Sequence, residues 1–527
     1  RAQNWQKAFS LAKTAQNPNL IEVLYYLYYL DDTADVGFKE IGQFIERNPN
    51  FPLLYKLINV VEKKLIKPNE EDDSDILDWF EKYPPKTFTG KKLQLTLLFN
   101  QKFPDRSKII EVVRDIYTNE EMADEELMEF WNAFNKYLSP DDYKLRLTNM
   151  LQASNIKQAQ SALSFMQENV TNVDKEIELA EIVMALIKNR NDDDNIEEFI
   201  KATGSEQYFV KFYPLVKTYV IQLLIKNMPK TAYAILEKNE AYAGKYFPDV
   251  LWLMGWINLS FFQNYAQAEK HFYDTYEKVR TPISKSKAAY WIALSKDYAN
   301  DIRGKMEWLK IASVDNTNFY GQLAANELNT SNIADNFAVD ELISQKAVDH
   351  IRNHKFAKIA YELNQIDRKH PLILSFLYAL FEDRASDNHY RALLYVLKND
   401  FARNDLTIFL ARRSRSEGML AIKDSFPIPN IKISPDMDKA LVLGLIRQES
   451  SFDNEALSPK GAVGLMQLMS YTAKTVCSWY KDLRYNRKKL TNPDYNVAIG
   501  SRYLKRLLAN FNNNEIVCIV FPNPISS

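Results

Sequence analysis

From its start to about residue 420 the chain repeats one arrangement: apolar side chains three or four positions apart, polar ones between them, and short polar joints. Tyr265 to Val279 shows the pattern. Ala268, Phe272, Tyr276 and Val279 fall on one helical face, while Gln267, Lys270, Asp274 and Lys278 fill the opposite side. Similar hairpin-sized units recur around residues 155–167, 217–237 and 290–312. Glycine is scarce, 13 in 527 residues, and β-branched alternation is hard to find, so the expected fold is all-α. No strict period of about 34 residues holds, which argues against a regular repeat array. Helical pairs that cannot each bury a face alone are expected to stack into a superhelix, a surface suited to scaffolding or docking.

Composition narrows the class. Hydrophobic residues make up 46% of the chain, enough for sizeable cores and against disorder. The formal net charge is −1, so overall electrostatics point to neither nucleic acid nor an acidic membrane. Glu70-Glu71-Asp72-Asp73 and Asp192-Asp193-Asp194 read as solvated loops. The basic runs Arg412-Arg413-Ser414-Arg415 and Arg484 to Lys489 read as wet faces, with contact to an anionic polymer as the other reading. Cys477 and Cys518 form no disulfide framework and have no metal-ligand spacing. The longest apolar run, Val250 to Phe262, is broken by Gly255 and Asn258 and is too short to span a bilayer. The chain opens at Arg1 without a methionine, so removal of a targeting segment is compatible with it.

A boundary is expected at Asp424 to Asn430, where Pro427 and Pro429 disfavour helix and Ser434-Pro435 reads as a restart. Four of the thirteen glycines then lie between 444 and 500. The predicted helix from Pro435 to Ser450 presents Leu441, Leu445 and Glu449 at four-residue steps, with Val442 and Ile446 beside them. A carboxyl at the end of such a stripe feels apolar surroundings and the negative end of the helix dipole, both of which raise its pKa. Held protonated at neutral pH, it is suited to general-acid work. On spacing alone, a helix-end glutamate turned into water is the simpler reading. The segment that follows shifts the balance: Gly461 and Gly464 allow a tight turn and close approach of a substrate chain. Gln467 offers an amide with donor and acceptor for sugar hydroxyls and N-acetyl groups, and Ser470 is placed to cap a helix from Tyr471 to Tyr480.

Glu449-Ser450, the run Ser458-Pro459-Lys460-Gly461-Ala462-Val463-Gly464-Leu465-Met466-Gln467-Leu468-Met469, and Thr472-Ala473 resemble the first two signature motifs of the soluble lytic transglycosylases. Leu490-Thr491-Asn492-Pro493, Asn496, Gly500 and Tyr503-Leu504 are similar to the same domain. Upstream, Gly255-Trp256-Ile257, Ala268, His271-Phe272, Tyr290-Trp291, Ala312 and Phe319 to Ala324 resemble the helical ring of the large periplasmic members. The likeness covers roughly residues 245 to 515; before that, only helicity agrees.

The resemblance implies an α-superhelical domain at 1–335, a helical linker domain at 336–427 and a lysozyme-like catalytic domain at 428–527. It implies a periplasmic, exo-acting enzyme without cofactor or metal, whose partners are peptidoglycan glycan strands and other cell-wall enzymes. Glu449 would act alone, first as acid and then as base, to give a 1,6-anhydro product. Ser450 would orient the carboxylate, and Gly464, Leu465, Met466, Gln467 and Asn523 would contact substrate. After Glu515-Ile516-Val517 the family continues with Ala-Tyr-Asn-Ala-Gly and a further active-site tyrosine. Here Cys518 to Ser527 follows, with Asn523 aligned to that asparagine and Pro522 in place of its tyrosine. The expectation is a domain incomplete at its C-terminus, from truncation or frameshift, with Glu449 more exposed.

Two other readings fit the same residues: a glycan-holding scaffold with a degenerate catalytic domain, and a goose-lysozyme-like muramidase that uses water. His350 and His354, four apart, could share a metal only with a third ligand that is not evident. Tyr25-Tyr26-Leu27-Tyr28-Tyr29 reads as core packing before sugar stacking.

Overall fold

Helix starts follow residues whose side chains can replace a missing backbone acceptor. Asp72, Thr87, Asp105, Asn155, Asp192, Asn264 and Asp301 each accept a hydrogen bond from a backbone N–H at the head of the helix that follows. Pro140 and Pro229 stand in the first turn of theirs, where the missing N–H costs nothing. A computed structural model describes residues 4–15, 18–66, 72–190, 192–330, 343–382, 387–416, 419 and 421–512. Among them there is no β-strand, so the all-α expectation holds.

The chain forms two compact units. The first runs to Val314 without Arg280–Ile283; the second takes in those four residues and the chain from Asp315 on. The division expected at residue 335 lies outside the described residues.

In the first unit, helices from Trp5–Ala15 to Ile302–Ser313 pack chiefly on their neighbours in sequence. Its largest core runs from Leu95 to Ile257. The helix Tyr265–Lys278 buries Ala268, His271, Phe272 and Thr275, the face read from the sequence shifted by part of a turn. Gly255 lets this helix approach Phe247–Ile257: a Cβ there would stand 2.8 Å from the Phe272 ring. Tyr26 and Tyr29 are buried against Phe51 and Phe44, as the core-packing reading of that aromatic run requires. No described helix is long and apolar enough to cross a membrane.

The second unit begins with helices that include Gln345–Asn353, Lys355–Ile366, Leu372–Glu382 and Asn404–Ser416. Residues 426–434 then run without helix, as their prolines predict. Three α-helices follow among the described residues: α1 (Lys439–Ser450), α2 (Ser470–Trp479) and α3 (Pro493–Asn510). They share a core of Val442, Ile446, Leu465, Val476, Leu490 and Val497, to which Ile408 also belongs. Helix α1 starts later than the sequence suggests. Ser434-Pro435 leads into a turn, and the cap is Asp438, which accepts from the N–H groups of Ala440 and Leu441 at 2.6 and 3.1 Å. Likewise Ser470 is the first residue of α2 rather than its cap; Met469 precedes it without a side-chain cap.

Candidate active site

Glu449 lies one residue before the end of α1. The fully buried row of this helix is Val442 and Ile446, while Leu441 and Leu445 are half-buried and Glu449 is open to solvent. The carboxyl therefore stands at the margin of the apolar stripe rather than within it. Protein on its inner side still desolvates it, and that burial raises its pKa above the ordinary glutamate value. No hydrogen bond or ion pair to Glu449 exists among the described residues.

The nearest basic residue in sequence is engaged elsewhere. Arg447 donates from Nε to the Ser425 carbonyl at 2.5 Å, and its guanidinium lies 4.1 Å from the centre of the Phe426 ring. Burial, with Arg412 and Arg415 adding repulsion, brings its pKa down to about 10. Ser450 donates its hydroxyl back to the Ile446 carbonyl at 3.1 Å, not to Glu449. A mid-helix serine facing the preceding turn commonly does this. The backbone then leaves the helix through two residues in the left-handed region, Ser451 at φ 51° and Phe452 at φ 65°.

Residues 453–469 form a compact loop held by two isolated antiparallel bridges, Leu457 to Val463 and Val463 to Leu468. Gly464 adopts φ +78°, and a Cβ there would run into the Leu490 carbonyl and the Asn496 amide. Asn496, on α3 and wholly buried, is the clasp of this loop. Its Oδ1 accepts from the Met466 N–H at 2.9 Å, and its Nδ2 donates to the Val463 and Leu490 carbonyls at 2.9 and 2.8 Å. Sequence reading noted Asn496 but gave it no role; a polar residue at a buried position of an amphipathic helix was the available signal.

The predicted substrate contacts separate on inspection. Leu465 and Met466 are buried in the core, with Met466 seated against the face left clear by Gly500. Gln467 is half-buried at φ 44°, and its Nε2 donates to the Gly464 and Ala456 carbonyls at 2.9 and 3.3 Å. Its amide nitrogen thus braces the loop. Asn523 and Cys518 lie outside the described residues. Cys477 is buried and its thiol is pushed up by desolvation. His354 caps the helix Lys355–Ile366 by accepting from the Phe356 N–H through Nδ1, and no group of three metal-ligating side chains occurs among the described residues.

Residues 430–521, which hold the helix-end Glu449 and the glycine loop clasped by Asn496, fit the family model for the transglycosylase SLT domain. Over 82 residues the chain is 34% identical to the soluble lytic murein transglycosylase of Salmonella typhimurium, 15% of this chain and 13% of that protein. The match thus spans about an eighth of that relative's length. The fold extends much further. An inactive mutant of the lytic transglycosylase Slt from Pseudomonas aeruginosa superposes with a TM-score of 0.64 at 15% identity, over 98% of this chain and 86% of that one. The 70 kDa soluble lytic transglycosylase of Escherichia coli gives 0.56 at 15% identity, over 97% and 86%. The sequence match thus places an SLT domain at residues 430–521, and the likeness in fold extends over nearly the whole chain.

Proposed function

We propose that the protein is a peptidoglycan lytic transglycosylase that cuts the β-1,4 bond between N-acetylmuramic acid and N-acetylglucosamine, working in the periplasm on glycan strands. The observation that carries this is Glu449, a partly desolvated carboxyl with no cation or donor bonded to it among the described residues, at the end of α1 in the SLT domain. Protonated, it gives its proton to the glycosidic oxygen as the bond breaks. With no second carboxylate in the assignment, the sugar's N-acetyl oxygen stabilises the developing charge at C1. The carboxylate left behind takes the proton of the muramoyl O6 hydroxyl as that oxygen attacks C1, closing the 1,6-anhydro ring. No water is consumed.

Ser450, Gly464, Leu465, Met466, Gln467 and Asn523 remain the proposed contacts or supports of the strand. The buried settings of Leu465 and Met466 suit shaping the loop more than touching sugar. We place the start of the catalytic domain near residue 428, after the helix-free stretch. Mass spectrometry of products from purified sacculi tests the reading. Anhydro-muropeptides are expected from the parent chain, with turnover lowered about 10²–10⁴-fold in Glu449→Gln. Only hydrated reducing ends would instead establish a muramidase. Binding of sacculi with no product from either version would establish a scaffold.

A further inference from the structure

In the second unit, the helices Gln345–Asn353, Lys355–Ile366 and Asp387–Asn399 border an open surface cavity of about 250 Å³. Ala357, Val396 and Phe401 line it with apolar groups that are otherwise buried in the core. Tyr361 lines it too; its ring is 40% exposed and meets Phe401 edge to face, centroids 5.4 Å apart. Polar ties hold this shape. Arg352 donates from Nε and Nη2 to the two carboxylate oxygens of Asp400 at 2.7 and 2.8 Å. Asn364, buried behind the cavity, donates from Nδ2 to the Phe401 carbonyl at 3.3 Å and accepts from Arg403 at 2.9 Å.

Three charged side chains reach the lining. Arg352 and Asp400 cancel each other as a bidentate pair. The third, Lys358, is exposed, and its ammonium has no hydrogen bond or ion pair among the described residues. The cavity therefore offers an apolar, ring-walled recess with one uncompensated positive charge at its side. It is smaller than the roughly 300–1,000 Å³ that takes a drug-sized ligand, so its guest is a small group. The complementary chemistry is a carboxylate for the ammonium and a short apolar side chain for the recess. A chain-terminal alanine carries both on one carbon.

We propose that Lys358, Tyr361 and Phe401 form a pocket, without chemistry of its own, that takes the terminal D-alanine of a murein stem peptide. The choice of murein rests on the proposed function; the need for a small apolar carboxylate rests on the lining alone.

The test uses the full chain carrying Glu449→Gln, with ¹³C-labelled alanine and valine methyl groups observed by NMR, so that the Ala357 and Val396 signals report on this cavity. Three probes are titrated: a stem tetrapeptide ending in D-alanine with its carboxylate free, the same peptide as its terminal amide, and an unrelated peptide ending in L-alanine. The first is expected to shift both signals, and the amide to bind about tenfold more weakly or worse. Lys358→Met is expected to weaken binding of the first by a similar factor of about ten. Lys358→Gln, which keeps a polar side chain of similar length, serves as the second variant if the first perturbs folding by circular dichroism. The proposal is overturned if the stem peptide leaves the two signals in place, if the amide binds as tightly, or if the variants bind like their parent. Equal binding of the unrelated peptide overturns murein as the guest and makes the pocket one for protein chain ends. Anhydro-product formation is read separately on the chain with Glu449 intact: products without stem binding overturn this pocket alone, and stem binding without products overturns the lyase reading alone.

Discussion

At the scale of single residues, Glu449 contrasts with two ion-paired carboxyls of the same domain. Asp436 with Lys505 and Asp482 with Arg502 are each held below the usual carboxylate range first by the hydrogen bond to that cation. Glu449 has no such tie among the described residues, and desolvation moves it the other way. The sign follows. An acid whose folded pKa is raised contributes its stability while protonated, in full below the ordinary glutamate pKa, and loses it as pH climbs through the raised value. Activity is therefore expected to fall on an alkaline limb above the ordinary glutamate pKa, and a pH–rate profile of kcat/KM on soluble muropeptides checks this. A limb at the ordinary glutamate value would remove the acid role. Because glutamine carries no charge to desolvate, Glu449→Gln is expected to melt no lower than the parent at pH 7, and up to about 2 °C higher, by calorimetry.

At the scale of elements, the site depends on an exchange between a loop and a helix. Gly464→Ala forces a side chain into left-handed backbone and against the Asn496 clasp. It is expected to cost about 2–4 kcal/mol and most of the activity, measured by denaturant unfolding and product release. Asp438→Ala removes only the cap of α1 and is expected to cost about 1 kcal/mol with chemistry largely retained. Much of this was legible in the sequence, because helix faces and glycine turns are set by residues three or four apart. The start of α1 was misread because Ser434-Pro435 satisfies the local rule for a cap, while Asp438, three residues later, satisfies it and also places Val442 and Ile446 inward. The clasp was not legible as such. It joins residues 30 apart, and periodicity carries no information over that range.

At the scale of the molecule, each unit relies on buried polar anchors as well as apolar cores. In the first, Arg146 is wholly buried and donates to the Glu120 carbonyl at 3.0 Å and the Gln158 side chain at 2.9 Å. In the second, Arg415 reaches across a hundred residues to Asp315, with contacts at 2.7–3.1 Å. The basic run that read as a wet face thus divides: Arg412 and Arg413 are exposed and Arg415 is turned inward. Burial alone would raise the Asp315 pKa, but the bonds from Thr317 and Arg415 more than offset it and hold the carboxyl low. That stability is present above the ordinary aspartate pKa and lost as pH falls through the depressed one. Arg415→Ala, which leaves the acid buried and alone, is expected to cost about 3–5 kcal/mol at pH 7 by thermal or chemical unfolding.

The clasp at Asn496 also bears on how the protein is made. The loop beside Glu449 has no strand pairing of its own beyond two isolated bridges, and its amide latch arrives on a helix translated some thirty residues afterwards. On the ribosome, the acid therefore emerges before the wall that gives its neighbourhood a shape. In a newly synthesised chain the loop cannot take this clasped form until α3 has left the exit tunnel and closed on it.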